Sequence, residues 1–223
     1  MRRTIVIFAS IIAAAGIADA TPGSARQQSG RVVDRIVARI EGDIILQSQI
    51  QELAAFQQLV DGRAERDDRL LSELIEQWIV ETEANESHFP QPAQSEVDRE
   101  MSRLSTQLGS SEAYATKLRN QGMTAAQVRQ LLIRQIFVER YVDYKFRPTV
   151  QIETADVENY YRNDFVPALE KNNKSAPVPP LSEVEGQIRE LLTQREISAL
   201  AAKWLDDTKS RLKIETALPG AKP

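Results

Sequence analysis

One segment sets the dimension of anything this chain can build. Thr124 and Gln127 have the spacing of a helix capping box, a hydroxyl and an amide that each satisfy a free backbone N–H of the first turn. After them runs TAAQVRQLLIRQIFVERYVDYKF, with no glycine or proline until Pro148 ends the helix. At 1.5 Å per residue this predicts a rod of about 33 Å, roughly the diameter of a small domain. The rest of the chain must pack around it.

The segments on either side read as further helices. Asp67 opens one whose Leu70, Leu71, Leu74, Ile75, Trp78 and Ile79 fall on one apolar stripe, ending before Pro90. A helix from Ser48, with Gln51 as its capping partner, runs to about Val60 and stops near Asp61-Gly62. A third starts at Ser95, carries Val97, Met101, Leu104 and Leu108 on one side and is closed by Gly109. A short one over 112–120 is closed by Gly122. Thr154 caps a helix with Val157, Tyr160, Tyr161 and Phe165. Ser182 and Glu185 cap the last one, which carries Val184, Ile188, Leu191, Leu192, Leu200, Trp204 and Leu205.

Strand signals sit only at the two ends of this helical array. Ile36, Ala38 and Ile40 alternate with Arg35 and Arg39, Glu41-Gly42-Asp43 has the composition of a tight turn, and Ile44 to Leu46 return. RLKIE near the C-terminus is a third candidate strand, which invites pairing between the ends. The expected fold class is mainly α with a small β hairpin.

The first twenty residues stand apart. Arg2 and Arg3 precede an apolar run from Ile5 to Ile17 that closes on Ala18-Asp19-Ala20. That order predicts a secretory signal cleaved after Ala20, and the run is too short to span a hydrocarbon core of about 30 Å. The expected location is the periplasm or another secreted compartment, with no integral membrane segment after cleavage. Residues 21–30 are small and polar and read as a flexible leader. Losing two positive charges and one negative takes the net charge from −4 to −5. An acidic chain without a basic block is a poor partner for nucleic acid.

The chemistry-bearing residues do not assemble into a catalytic set. There is no cysteine, so neither disulfides nor thiol chemistry enter. The single histidine, His88, lies at a helix end beside Phe89-Pro90, where a helix dipole favours a cation. Zinc spacing and glycine-rich phosphate loops are absent from the sequence. Glu81, Glu83 and Glu86 read as a solvated helix face. The expectation is no enzyme, no metal and no cofactor. Large amphipathic side chains remain, and their first reading is core packing. The functional reading places Trp78, Phe137, Tyr141, Tyr144, Tyr160 and Tyr161 in a groove for apolar client segments, joined by the flexible thioethers Met101 and Met123.

The order of features is the most specific signal. VDRIVARIEGDIILQSQI, then LLSELIEQWIV, then GMTAAQVRQLLIRQIFVERYVDYKFRPTVQIETADVENYY, resembles the N-terminal chaperone domain of the SurA-type periplasmic foldases. The hairpin with its Ile-Leu-x-Ser exit, the Gly-Met-Thr helix start and the Arg-Pro continuation into Tyr160-Tyr161 carry the likeness. PPLSEVEGQIRELLTQREISALAAKWLDDTKSRLKIE resembles the family's C-terminal helix and strand, which return to the N-terminal domain. The resemblance implies a chaperone domain over 31–165, completed by a helix and strand over 182–216, with a tail over 217–223. It also implies one or two parvulin-type prolyl isomerase domains in the middle. Here only a linker, 166–181, occupies that place, so no isomerase activity is expected. The function so implied is an ATP-independent holdase for unfolded outer-membrane or secreted proteins, with a homodimer as a further expectation. An adaptor or structural protein holding a single partner on the same helical scaffold is the alternative.

Overall fold

The computed structural model describes residues 34–172 and 178–217. The expected signal segment, the leader and all but the first residue of the tail lie outside the described residues, as do 173–177 of the expected linker.

The architecture is mainly helical with one small antiparallel sheet. Strand β1 (Ile36–Ile40) pairs with β2 (Asp43–Leu46) as a hairpin, and β3 (Ile214–Thr216) pairs with the other side of β1. The sheet order β2-β1-β3 joins the two ends of the described chain. Beyond the ladder, the Ala217 N–H donates to the Val37 carbonyl at 2.9 Å and the Glu41 N–H to the Lys213 carbonyl at 3.2 Å. The expected alternation along β1 is broken by a register shift between Ile36 and Ala38. Val37, Ala38 and Ile40 are all buried, while Ile36 is only half-buried, as an irregular pairing permits.

Helix α1 (Gln47–Asp61) follows, then α2 (Asp67–Glu86), α3 (Gln94–Leu108), α4 (Ser111–Asn120) and α5 (Ala125–Phe146). The Thr124–Gln127 box is formed as expected: the Gln127 N–H donates to Thr124 Oγ1 at 3.2 Å and the Thr124 N–H to Gln127 Oε1 at 2.9 Å. Asp61 is followed by Gly62 at φ +73°, a left-handed cap that side chains disfavour. The stripe of α2 enters the main core with Val37, Ile40, Ile45 and Ile50, and Trp204 and Leu205 of the last helix pack against it.

Three expected caps are displaced. Helix α1 starts at Gln47; the Leu46 N–H is held by Gln49 Oε1 at 2.8 Å, and the Ser48 N–H by Asp34 Oδ1 at 3.2 Å. Ser48 therefore receives a cap from the segment before β1 instead of providing one. Helix α6 (Thr154–Tyr160) is capped by Glu153, whose N–H donates to Asp156 Oδ2 at 3.0 Å. Helix α8 (Leu181–Lys209) begins after Pro180, so Ser182 is already inside it.

The helix carrying Tyr160 and Tyr161 does not stop at Phe165. It widens into a π turn over Tyr161–Phe165 and continues as α7 (Val166–Asn172). Proline at 167 has no N–H and its ring crowds the preceding turn. A wide turn just before it takes up that mismatch. The first part of the expected linker is thus helix, and residues 173–180 alone lie between α7 and α8.

Candidate functional site

The eight residues expected to form one groove are spread over four parts of the molecule. Trp78 is half-buried against the main core, and its indole N–H donates to Asp43 Oδ2 at 2.9 Å. Met123 is buried and Met101 half-buried in a cluster shared by α1, α3, α4 and α5. Tyr160 and Tyr161 belong to the α6–α8 cluster. There the Arg195 guanidinium lies 4.9 Å from the Tyr160 ring centre and the Tyr161 hydroxyl donates to the Pro179 carbonyl at 2.8 Å.

Phe137, Tyr141 and Tyr144 form the largest set that comes together. Phe89, from the segment after α2, sits 5.9, 5.3 and 5.2 Å from their ring centres. The Arg140 guanidinium caps the same Phe89 ring at 5.5 Å. Phe137 and Tyr141 are buried, and burial raises the Tyr141 hydroxyl above its ordinary pKa. Tyr144 is 64 % exposed. Of this aromatic stack, therefore, chiefly the Tyr144 edge faces solvent. His88, next to it, adopts φ +55° just past α2 and is exposed.

The more apolar opening lies elsewhere, where α1, α2, α5 and the end of α8 meet. It is a cleft of about 450 Å³. Phe56, Val60, Val80, Leu131, Val138, Val142 and Leu205 of α8 are among its apolar lining. The valines of α2 and α5 carry short side chains, which leave the gap between the helices open. Other hollows present more polar than apolar surface; one of about 760 Å³ lies between α6 and α8.

Carboxylates and amides rim the cleft. The Gln57 amide donates to Glu73 Oε2 at 2.9 Å, while its own oxygen accepts the Glu65 N–H at 3.0 Å. The Gln135 amide donates to Glu139 Oε1 at 2.9 Å. Lys209 Nζ meets Glu76 Oε1 at 2.6 Å and so ties α8 to α2 beside the opening. Glu73 is exposed between half-buried and buried neighbours on α2, yet its carboxyl is raised above the ordinary range. Partial burial of the carboxyl is the largest cause and the charge of Glu76 the next; the Gln57 amide works against both. Among the described residues no group of three or more His, Asp or Glu is placed to hold a metal ion.

None of the eight expected residues lines this cleft. The sequence does carry its trace. Leu131, Val138 and Val142 form a second apolar stripe on α5, beside the core stripe of Val128, Leu132 and Ile136. A helix with more apolar surface than one core contact uses is the readable sign of a second contact. Among the described residues no helix is long and apolar enough to cross a membrane. No family model matches the sequence, and no curated protein matches it.

Proposed function

We propose that the protein is an ATP-independent chaperone acting outside the cytoplasm, which holds unfolded outer-membrane or secreted polypeptides and has no prolyl isomerase activity. The observation that carries this reading is the cleft between α1, α2, α5 and α8: apolar walls, open to solvent, with hydrogen-bonding side chains around the mouth. Its volume is at the small end of ligand sites, on the order of 300–1,000 Å³. A cleft of that volume has room for about two or three apolar side chains of an extended chain. Covering about 200 Å² of apolar surface yields about 5 kcal/mol before ordering costs, at ~25 cal/mol per Å². Those costs leave binding weak, and weak binding releases its client without an energy source.

The joining of β1 with β3 supports the same reading. It fastens the end of α8, the helix that brings Leu205 to the cleft, to the start of the domain. The resemblance to the SurA-type chaperone domain points in the same direction, with eight residues, 173–180, where relatives carry an isomerase.

The test is dilution of a urea-unfolded outer-membrane β-barrel protein into buffer with increasing amounts of the mature chain, followed by light scattering. Aggregation slows in proportion to the protein added. Scattering as fast as in buffer alone defeats the reading. A parallel assay of a proline-containing peptide shows no acceleration of isomerisation; acceleration that disappears with a variant of this chain removes the second half of the proposal.

A further inference from the structure

The charged side chains that line the cleft are all acids, although Glu139 also borders a neighbouring hollow that holds Arg99, Arg103 and Arg140. Asp61, Glu73, Glu76 and Glu139 are its ionisable lining residues. Among the described residues only Glu76 of these has an ion-pair partner, Lys209. Glutamines hold two of the others in place, since the amides of Gln57 and Gln135 each occupy one oxygen of Glu73 and Glu139. The remaining lone pairs stay available. Gln57 is itself fixed by the Glu65 N–H. Elsewhere the acids facing neighbouring helices are matched with cations: Asp98 with Arg129, Glu96 with Arg140, Glu83 with Lys145 and Glu190 with Arg147.

We propose that this cleft selects client segments in which a few apolar side chains are flanked by lysine or arginine, and discriminates against the same segments flanked by acids. The inference rests on the preceding reading that the cleft receives clients, and it names the client chemistry. The apolar walls supply affinity without sequence preference. The rim supplies the preference, because each like-charged contact opposes an acidic flank and each opposite-charged contact favours a basic one. The raised carboxyl of Glu73 belongs to the same picture: a cation brought to the rim relieves the repulsion from Glu76. Rim charges at a solvated mouth act mainly through screened attraction, so the discrimination depends on salt.

The experiment uses the full mature chain and three fluorescein-labelled peptides with one shared Leu-Val-Phe core, flanked by lysine, serine or glutamate. Binding is read by fluorescence anisotropy at about 0.05 M and about 1 M salt, where the screening length falls from more than ~10 Å to ~3 Å. The lysine-flanked peptide binds about tenfold more tightly than the glutamate-flanked one at low salt, with serine between. The ratio falls toward one at high salt and in the double variant Glu73→Gln, Glu139→Gln. Both positions are exposed, and glutamine preserves the shape, so the variant folds; its circular dichroism melt verifies this. Equal binding of the three peptides overturns the inference. So does a tenfold ratio that survives in the double variant, or no binding of the lysine-flanked peptide at millimolar concentration.

The light-scattering assay separates this proposal from the one it rests on. Slowed aggregation with equal binding of the peptides removes only the charge selection. Unslowed aggregation with a salt-sensitive, variant-sensitive preference for the lysine-flanked peptide removes only the chaperone reading.

Discussion

Two of the places where helix α5 meets acids of its neighbours are treated in opposite ways. At its C-terminal end Arg147 lies 2.7 Å from Asp143 and 2.8 Å from Glu190 of α8, and Gln194 adds its amide to the same two carboxylates. The guanidinium draws Glu190 down to about 2 and lowers Asp143 as well. Along its middle, facing α1 and α2, no cation lines the cleft, and Glu73 is shifted upward. One acid is stabilised in its charged form and the other is penalised in it. The first arrangement is a joint whose charges are satisfied within the fold. The second leaves Glu73 at the edge of an opening with one amide donor and, among the described residues, no ion-pair partner.

The largest expected difference between the two places is in packing. Ile197 of α8 is 3 % exposed and sits with Phe146 and Ala201, against Val142, Val150 and Trp204. Ile197→Ala removes buried methylenes from a filled joint and costs about 3 kcal/mol. Val138→Ala, on the wall of the cleft, removes methyls that already border open space and costs less than about 1 kcal/mol. Urea denaturation of the two variants measures both. Equal losses break the distinction between a packed joint and an open cleft.

The framework of helices and strands was more legible in the sequence than either the joint or the cleft. The α2 stripe, the Thr124–Gln127 box, Gly62 and the return of the last strand to β1 all follow from local chemistry and stand where that chemistry puts them. Caps failed where a competing group arrived from elsewhere in the chain or one residue earlier. Asp34 took the N–H of Ser48, and Glu153 preceded Thr154. The expected linker over 166–181 begins as helix, because the π turn before the proline at 167 lets the helix pass. The cleft was hidden because it is a gap between helices, set by how far apart their axes settle and by valines too short to fill it. Aromatic size drew attention to Phe137 and Tyr141, which turned out to be buried. The quieter stripe of Leu131, Val138 and Val142 is the one that faces the opening.

Acid should loosen the joint. Glu190 in the folded protein titrates near 2, below its ordinary value of 4.5, so its contribution to stability is complete above about 4.5 and is lost as pH falls toward 2. Asp143 is shifted in the same direction and adds to the same window. Arg147→Ala removes the largest cause of both shifts and leaves the smaller one, the Gln194 amide. The variant is destabilised at pH 7 by less than Ile197→Ala, because these charges are solvent-exposed. Its thermal midpoint then falls less steeply than that of the parent between about pH 4.5 and pH 2. Parallel curves for the two proteins contradict the account of the joint.

The smallest effect has the opposite sign and is the sharper test of the contrast. Glu73 holds its proton more tightly in the folded chain than in the unfolded one, through burial first and then through Glu76, with Asp61 and Glu65 adding in the same direction. A raised carboxyl of this kind makes stability fall as pH rises from the ordinary value of 4.5 through the raised one. Glu73→Gln carries no charge and escapes that loss. At pH 7 it is as stable as the parent or more stable, within about 0.5 kcal/mol, and near pH 4 the advantage disappears. Differential scanning calorimetry at the two pH values reads the difference directly. A Glu73→Gln variant that is clearly less stable at pH 7 means that the carboxylate has a stabilising partner within the fold, and the cleft then differs from the joint in shape alone.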